Sequence, residues 1–169
     1  MALTKKYDFI AITDHRFDGR GSPCGRAAGK CDDTLCKDVV EKCHKETRLL
    51  CIPSMEVTGK VHLLALGIQR GIDERLSIKV QVEQIHQQGG LAIAAHPYTS
   101  PWVYTNEELT QSGLDAMECR GGNSAGGLPC LYNSDAHSAT QMYGGNACAG
   151  VLKTFEDIKV AIKTNRCTP

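Results

Sequence analysis

Short apolar runs alternate with helical patterns along the whole chain, and this alternation limits the possible folds more than any other feature. The strand-like runs, rich in aliphatic and β-branched residues, lie at residues 7–13, 49–58, 61–68, 91–96, 116–119, 131–134 and 147–152. Apolar residues recur at helical spacing over residues 34–48, 76–88, 105–111 and 155–164. Strands that alternate with helices predict a layered or barrel-shaped α/β fold, and a length of 169 residues predicts one domain over residues 1–169.

Two local signals add detail to this pattern. Gly59 stands alone between two strand-like runs and predicts a hairpin. Thr105, followed three residues later by Glu108, predicts the capped beginning of a short helix.

The charge balance argues against several classes of partner. Lys plus Arg and Asp plus Glu each number 19, so the formal net charge is zero, which argues against bulk binding to nucleic acid or to an anionic membrane surface. No run reaches the roughly 18 apolar residues that a bilayer-spanning helix needs. The first residues carry no apolar signal core, so we predict a cytoplasmic protein without membrane contact.

Nine cysteines are many for this length, and an odd number cannot pair completely within one chain. No Cys-x-x-Cys pair is present, so neither a zinc ribbon nor a thioredoxin-like site is predicted. We interpret the cysteines as reduced thiols, several of them buried as small apolar side chains. The alternative is a set of disulfides among Cys24, Cys31, Cys36, Cys43 and Cys51, which would indicate an oxidising, extracellular environment.

Histidines and acids stand at or near the ends of the strand-like runs. They are Asp14, His15, Glu56, His62, His96, Glu118, Asp135 and His137. Burying a polar side chain at the end of a strand costs free energy unless the side chain binds a partner. In α/β folds, active and binding sites are built at the carboxyl ends of the strands. Imidazole and carboxylate together suit Zn, Mn or Fe. Because these residues outnumber the three or four ligands of one ion, the sequence predicts a centre of two or more divalent metals.

Some of these residues also have a structural interpretation. His62 fits a core or edge histidine with its hydrogen bonds satisfied, and Asp14 fits the cap of a turn. Glu118 fits a structural carboxylate paired with Arg120. The metal interpretation is favoured because three of the histidines each close a strand-like run.

Five runs of the sequence resemble the later motifs of the PHP family (polymerase and histidinol phosphatase domain), in the family's order. They are AITDH at 11–15, MEVT at 55–58, VHLLALG at 61–67, AAHP at 94–97 and NSDAH at 133–137. The resemblance covers residues 7–167, and the TDH and SDAH signatures together make it specific. It implies that the α/β fold is a distorted (β/α)7 TIM-like barrel, which carries two or three metals.

The resemblance also implies ligands and an activity. The implied metal ligands are His15, Glu56, His62, His96, Asp135 and His137, with Glu56 bridging two metals. Members of the family hydrolyse phosphate esters, among them small phosphomonoesters, nucleotides and short oligonucleotides. Asp14 and Glu118 are further catalytic candidates. Arg16 and Arg120, each close to the end of a strand-like run, are candidates to clamp the phosphate, and the alternative is that they are ordinary surface arginines.

The chain departs from the family pattern near its beginning. The family opens with a strand that carries a His-x-His motif, and no such motif precedes residue 11. We therefore predict a barrel that is incomplete at its N-terminus and lacks at least two ligands. A cysteine-bearing insertion covers residues 16–30, and a glycine-rich loop at 120–129 stands where the family has a helix.

Two functions are open at this point. The first is metal-dependent hydrolysis of a small phosphorylated substrate by a metal-activated water. The second is a PHP-like fold that has lost catalysis and serves as a binding or self-assembling module. A barrel without its first strand exposes an edge, which a second copy or a partner chain could cover. A redox or thiolate role of Cys119 or Cys130 is a third interpretation.

Overall fold

The computed structural model describes residues 7–15, 37–119 and 124–168. The strands are β1 (Phe9–His15), β2 (Leu50–Thr58), β3 (His62–Leu66), β4 (Leu91–Ala94), β5 (Ala116–Glu118), β6 (Cys130–Leu131), β7 (Ala147–Cys148) and β8 (Cys167–Thr168). The helices are α1 (Lys37–Glu46), α2 (Ile78–Gln87), α3 (Asn106–Gln111) and α4 (Phe155–Lys163), with a single 3-10 turn at Ala139–Gln141.

Six strands form one mixed sheet in the order β1-β2-β3-β4-β5-β6, and β7 pairs with β8 in a separate antiparallel ribbon. β1 lies parallel to β2, and the pairs β4–β5 and β5–β6 are also parallel. β3 is antiparallel to both of its neighbours. The sheet curls into half of a barrel, so the predicted (β/α)7 TIM-like barrel is wrong for the part of the chain that the structure describes.

The connection between β2 and β3 explains part of this difference. Only residues 59–61 join the two strands. A connection this short makes a hairpin, because a parallel pair needs a crossover of about a dozen residues or more. The predicted hairpin is confirmed, with Thr58 paired to His62 and Ser54 to Leu66. Gly59 suits the turn because a Cβ at this position would lie 2.6 Å from the carbonyl oxygen of Glu74.

Apolar side chains cover both faces of the central strands. Leu63 of β3 belongs to one core cluster together with Val82 of α2, whereas Leu64 belongs to a second cluster together with Ile158 of α4. All five residues of β3 are buried. A strand covered on both faces appears in the sequence as an unbroken apolar run, which is why this strand could be predicted.

Two helices begin with reciprocal capping boxes. Thr105 and Glu108 exchange side-chain and backbone hydrogen bonds at the beginning of α3, which confirms the predicted cap. Thr154 and Asp157 do the same at the beginning of α4. These boxes satisfy amide groups that the first turn of a helix otherwise leaves without partners.

Three disulfides join the described elements, and the interpretation of these cysteines as reduced thiols is therefore wrong. Cys43 of α1 pairs with Cys51 of β2, and Cys148 of β7 pairs with Cys167 of β8. Cys119–Cys130 joins the end of β5 to the beginning of β6. The sequence separations of 8, 19 and 11 residues share no motif, so only the folded chain shows which cysteines meet.

The disulfides bear on the cellular environment. Such bonds persist in oxidising compartments, so they favour an oxidising environment over the predicted cytoplasm. Cys24, Cys31 and Cys36, which the disulfide alternative included, lie outside the described residues. Among the described helices, none combines the length and apolarity that crossing a membrane requires.

Candidate metal centre

Three strand ends meet at one edge of the sheet. Because β3 is antiparallel to β2 and to β4, the carboxyl ends of those two strands lie beside the amino end of β3. Glu56 lies two residues before the end of β2, His62 opens β3, and His96 lies two residues beyond the end of β4. The short β2–β3 hairpin thus brings Glu56 and His62 close together in space.

The three side chains place one potential ligand atom each in a small volume. Nδ1 of His62 lies 2.7 Å from Oε1 of Glu56 and 3.1 Å from Nε2 of His96. The same Glu56 oxygen lies 3.5 Å from Nε2 of His96. Among the described residues, Glu56, His62 and His96 are the group identified as able to hold a metal ion, and their side chains are largely buried.

These distances fit a metal ion of ordinary size. A tetrahedral ion with bonds of about 2.1 Å holds its ligand atoms roughly 3.4 Å apart. The separations of 3.1 and 3.5 Å lie close to that value, and the 2.7 Å separation requires a small outward movement of Glu56 or His62. Two imidazole nitrogens and one carboxylate oxygen suit Zn, Mn or Fe. The residues therefore fit a divalent metal.

Glu118 holds the backbone at His96. This carboxylate, only 9% exposed, accepts a very short hydrogen bond from the backbone N–H of His96. The φ of His96 is 29°, a backbone conformation that residues other than glycine rarely adopt. The bond supports the turn by which the chain leaves β4. The sequence interpretation paired Glu118 with Arg120, which lies outside the described residues, whereas the structure shows the contact with His96.

Charge and burial shift two pKa values at this edge. The hydrogen bond to Glu56 raises the pKa of His96 and outweighs the burial that would lower it. Burial raises the pKa of Glu118, against the lowering effect of its hydrogen bond from His96. The negative charge of Asp135 contributes in the raising direction to both groups, which places Asp135 within electrostatic reach of the cluster.

Sequence reasoning missed two aromatic residues on the segment between β4 and α3. The ring of Trp102 lies over that of His62, with centroids 4.4 Å apart and planes tilted by 35°. The hydroxyl of Tyr104, a buried residue, donates a 2.5 Å hydrogen bond to the carbonyl oxygen of His62. The available signal was the dense aromatic content of residues 98–104, directly after His96-Pro97.

Asp135 and His137 lie on a more open segment after β6. Their side chains are 45% and 63% exposed, and Nδ1 of His137 lies 3.0 Å from the backbone oxygen of Asp135. The φ of Asp135 is 49°, so this segment also turns through the left-handed region. The group formed by Glu56, His62 and His96 includes neither residue.

The remaining predicted residues belong to β1 or fall beyond the described ranges. The parallel register of β1 and β2 pairs His15 with Glu56 and Asp14 with Met55. The backbone of His15 thus runs beside that of Glu56. Arg16 lies outside the described residues, as Arg120 does.

Comparison of the sequence with known proteins gives a distant relative and no family. No model of a known protein family matches the sequence. An uncharacterized protein of Methanocaldococcus jannaschii is 27% identical over 119 residues, which amount to 70% of this chain and 60% of that protein.

Among solved structures, a protein from Bacteroides vulgatus is similar over nearly the whole chain. The crystal structure is that of a two-domain protein that contains a predicted PHP-like metal-dependent phosphoesterase. The match has a TM-score of 0.68 and an identity of 16%, and it covers 95% of this chain and 55% of the other. The chain therefore shares the fold of part of that protein. It spans little more than half the length of either match.

Proposed function

We propose that the chain is a metal-dependent phosphoesterase of the PHP type, acting on a small phosphorylated substrate. The observation that carries this proposal is the convergence of Glu56, His62 and His96 at the edge where three strand ends meet. The fold likeness to a protein with a predicted PHP-like phosphoesterase and the order of the sequence motifs both support it.

The roles of the ligands follow from their chemistry. Glu56 supplies negative charge, and His62 and His96 supply nitrogen ligand atoms from the beginning of β3 and from just beyond β4. A divalent metal held there would draw electron density from a phosphate oxygen and would lower the pKa of a water molecule, so that hydroxide becomes available near neutral pH to attack phosphorus and displace the alcohol of the ester. Glu118 keeps His96 in place through the backbone hydrogen bond described above.

Other predicted residues extend the same proposal. His15 is proposed as a further ligand because the β1 register places it beside Glu56. Asp135 and His137 are proposed as ligands on the open side of the centre, because the charge of Asp135 acts on His96 and Glu118. Arg16 and Arg120 are proposed to bind phosphate oxygens. With these residues the site would hold two or more ions of Zn, Mn or Fe.

A second candidate function is that of a PHP-like module without catalysis, which binds or assembles with a second copy or a partner chain. The observation in its favour is the exposure of Asp135 and His137 away from the three-residue group. In that case the three buried ligands would hold a structural metal or none. Metal content and hydrolysis, measured on the same preparation, distinguish the two functions.

The test is metal analysis and hydrolysis with the Glu56→Gln variant. We expect the full chain, purified without chelator, to contain about one or more equivalents of Zn, Mn or Fe and to hydrolyse para-nitrophenyl phosphate. Glu56→Gln removes the charged ligand and should lower metal affinity by at least the roughly 100-fold that loss of a hydrogen-bond partner behind a ligand can cost, and hydrolysis should fall with it. The matched control is Glu83→Gln, the same change at an exposed position of α2.

Two outcomes would contradict the proposal. One is a chain that binds no metal after reconstitution with Mn²⁺ or Zn²⁺. The other is a metal-loaded chain that hydrolyses neither phosphomonoesters nor phosphodiesters, which would support the non-catalytic module.

A further inference from the structure

Trp102 contacts both histidines of the candidate centre. Its ring lies 4.4 Å from that of His62 in a tilted arrangement and 5.7 Å from that of His96 at an interplanar angle of 60°. The two imidazoles themselves lie 4.8 Å apart, edge to face. One indole therefore bounds one side of the pair. No family motif in the sequence includes this residue.

The orientation of a histidine ring depends on its neighbours. The last torsion of a histidine side chain is broad, so the backbone alone does not decide which ring nitrogen faces a given partner. The backbone of His62 is held by two hydrogen bonds to its carbonyl oxygen, from the hydroxyl of Tyr104 at 2.5 Å and from the N–H of Ala95 at 3.1 Å. The broad face of Trp102 lies against the ring itself.

The position of the indole has two consequences. A flat ring packed on His62 favours the orientation in which Nδ1 faces Glu56 and His96. An apolar wall also excludes water from that side of the centre, which strengthens the attraction between a cation and its ligands. Aromatic pairs at such distances stabilise the fold by more than the burial of their apolar area alone would give.

We propose that Trp102 is a positioning residue, which holds the imidazoles of His62 and His96 in the orientation that binds a divalent metal. This role rests on the proposed function, because it concerns the same centre. It requires an aromatic ring at position 102, whereas simple filling of space would require only apolar volume.

Two substitutions separate these roles. Trp102→Phe keeps a flat aromatic face, and Trp102→Leu keeps apolar bulk without one. Tyr98→Leu is the matched control, because Tyr98 lies on the same segment and is 55% exposed. The probe is Co²⁺ alone, titrated into the full chain and followed by its visible absorption spectrum, which reports ligand geometry without any turnover.

We expect Trp102→Leu to lower Co²⁺ affinity by about tenfold and to change the absorption spectrum. Trp102→Phe and Tyr98→Leu should keep a Co²⁺ affinity and an absorption spectrum close to those of the unsubstituted chain. Trp102 is the only tryptophan of the sequence, so bound Co²⁺ should also quench the whole tryptophan fluorescence, and Glu56→Gln should shift that quenching to Co²⁺ concentrations at least about 100-fold higher. Thermal unfolding of each metal-free variant shows how much of any change is due to lost stability.

Several results would overturn the positioning role. Equal Co²⁺ affinity and an unchanged spectrum in Trp102→Leu would refute it, as would a lower melting temperature without any change in Co²⁺ binding. If Trp102→Leu does not fold, a Trp102→Phe variant that folds but has lost Co²⁺ affinity would refute it instead. A chain that binds no Co²⁺ would overturn the centre itself. Co²⁺ binding without phosphoester hydrolysis would refute only the proposed function.

Discussion

At the scale of single residues, His96 combines an unfavourable backbone conformation with a central position in the candidate centre. A left-handed histidine persists only where its surroundings compensate for the cost of that conformation. The compensation comes from Glu118, which accepts a hydrogen bond from the backbone N–H of His96. Glu118 therefore supports the site through its neighbour, and its pairing with Arg120, which lies outside the described residues, stays a prediction.

This role leads to a prediction for Glu118. Glu118→Ala leaves the part-buried N–H of His96 without its acceptor, so it should lower the free energy of unfolding by about 1–3 kcal/mol. Glu118→Gln retains an acceptor oxygen and should lower the free energy of unfolding by less. Urea unfolding of both variants measures the difference, and metal titration should rank them in the same order. Equal effects of the two substitutions would contradict the role assigned to this hydrogen bond.

At the scale of elements, local signals in the sequence place most strands and helices. Continuous apolar runs predicted β3 and β4, and Thr105 with Glu108 predicted the beginning of α3. The ends of the later strands were less predictable. The runs at 131–134 and 147–152 shorten to two-residue strands, because partner strands and not propensity decide how far pairing extends.

The capping box of α4 provides a prediction that depends on pH. The backbone N–H of Lys153, with the side chain and N–H of Thr154, lowers the pKa of Asp157 below its usual 3.8. A carboxyl with a lowered pKa stabilises the fold above its usual pKa, and this stabilisation is lost as the pH falls through the lowered value.

The variant that tests this dependence is Asp157→Asn, which lacks the charge at every pH. It should be less stable than the unsubstituted chain at neutral pH, and the difference should shrink as the pH falls below 3.8. Urea unfolding at a series of pH values measures it. Glu156→Gln, a change in the same turn, is the control. A stability difference that does not change with pH would show that the charge of Asp157 is not what stabilises α4.

At the scale of the whole molecule, two large core clusters, a smaller third one around Val40, Leu49 and Cys51, and three disulfides hold the described residues together. The two large clusters lie on opposite faces of the sheet, and the bridges join α1 to β2, β5 to β6 and β7 to β8. Cys119 of the Cys119–Cys130 bridge follows Glu118 directly in the sequence.

The disulfides predict a result for thiol counting. Six of the nine cysteines lie in the three bridges, so protein denatured without reductant should show at most three reactive thiols. The double variant Cys119→Ala, Cys130→Ala should lose about 2–4 kcal/mol of unfolding free energy. Nine reactive thiols in the unreduced protein would show that the bridges do not form.

The sequence by itself determined the local features: the alternation of strands and helices, the β2–β3 hairpin, and the candidate ligands Glu56, His62 and His96 at strand ends. Such features depend on residues a few positions apart, and periodicity, turn residues and strand-end polarity report them directly. The tertiary structure alone decided the half barrel, the disulfide pairs, the support of His96 by Glu118, and the contact of Trp102 with His62. Each of these joins segments distant in sequence or depends on sheet topology, and no local pattern encodes which distant partner a side chain meets.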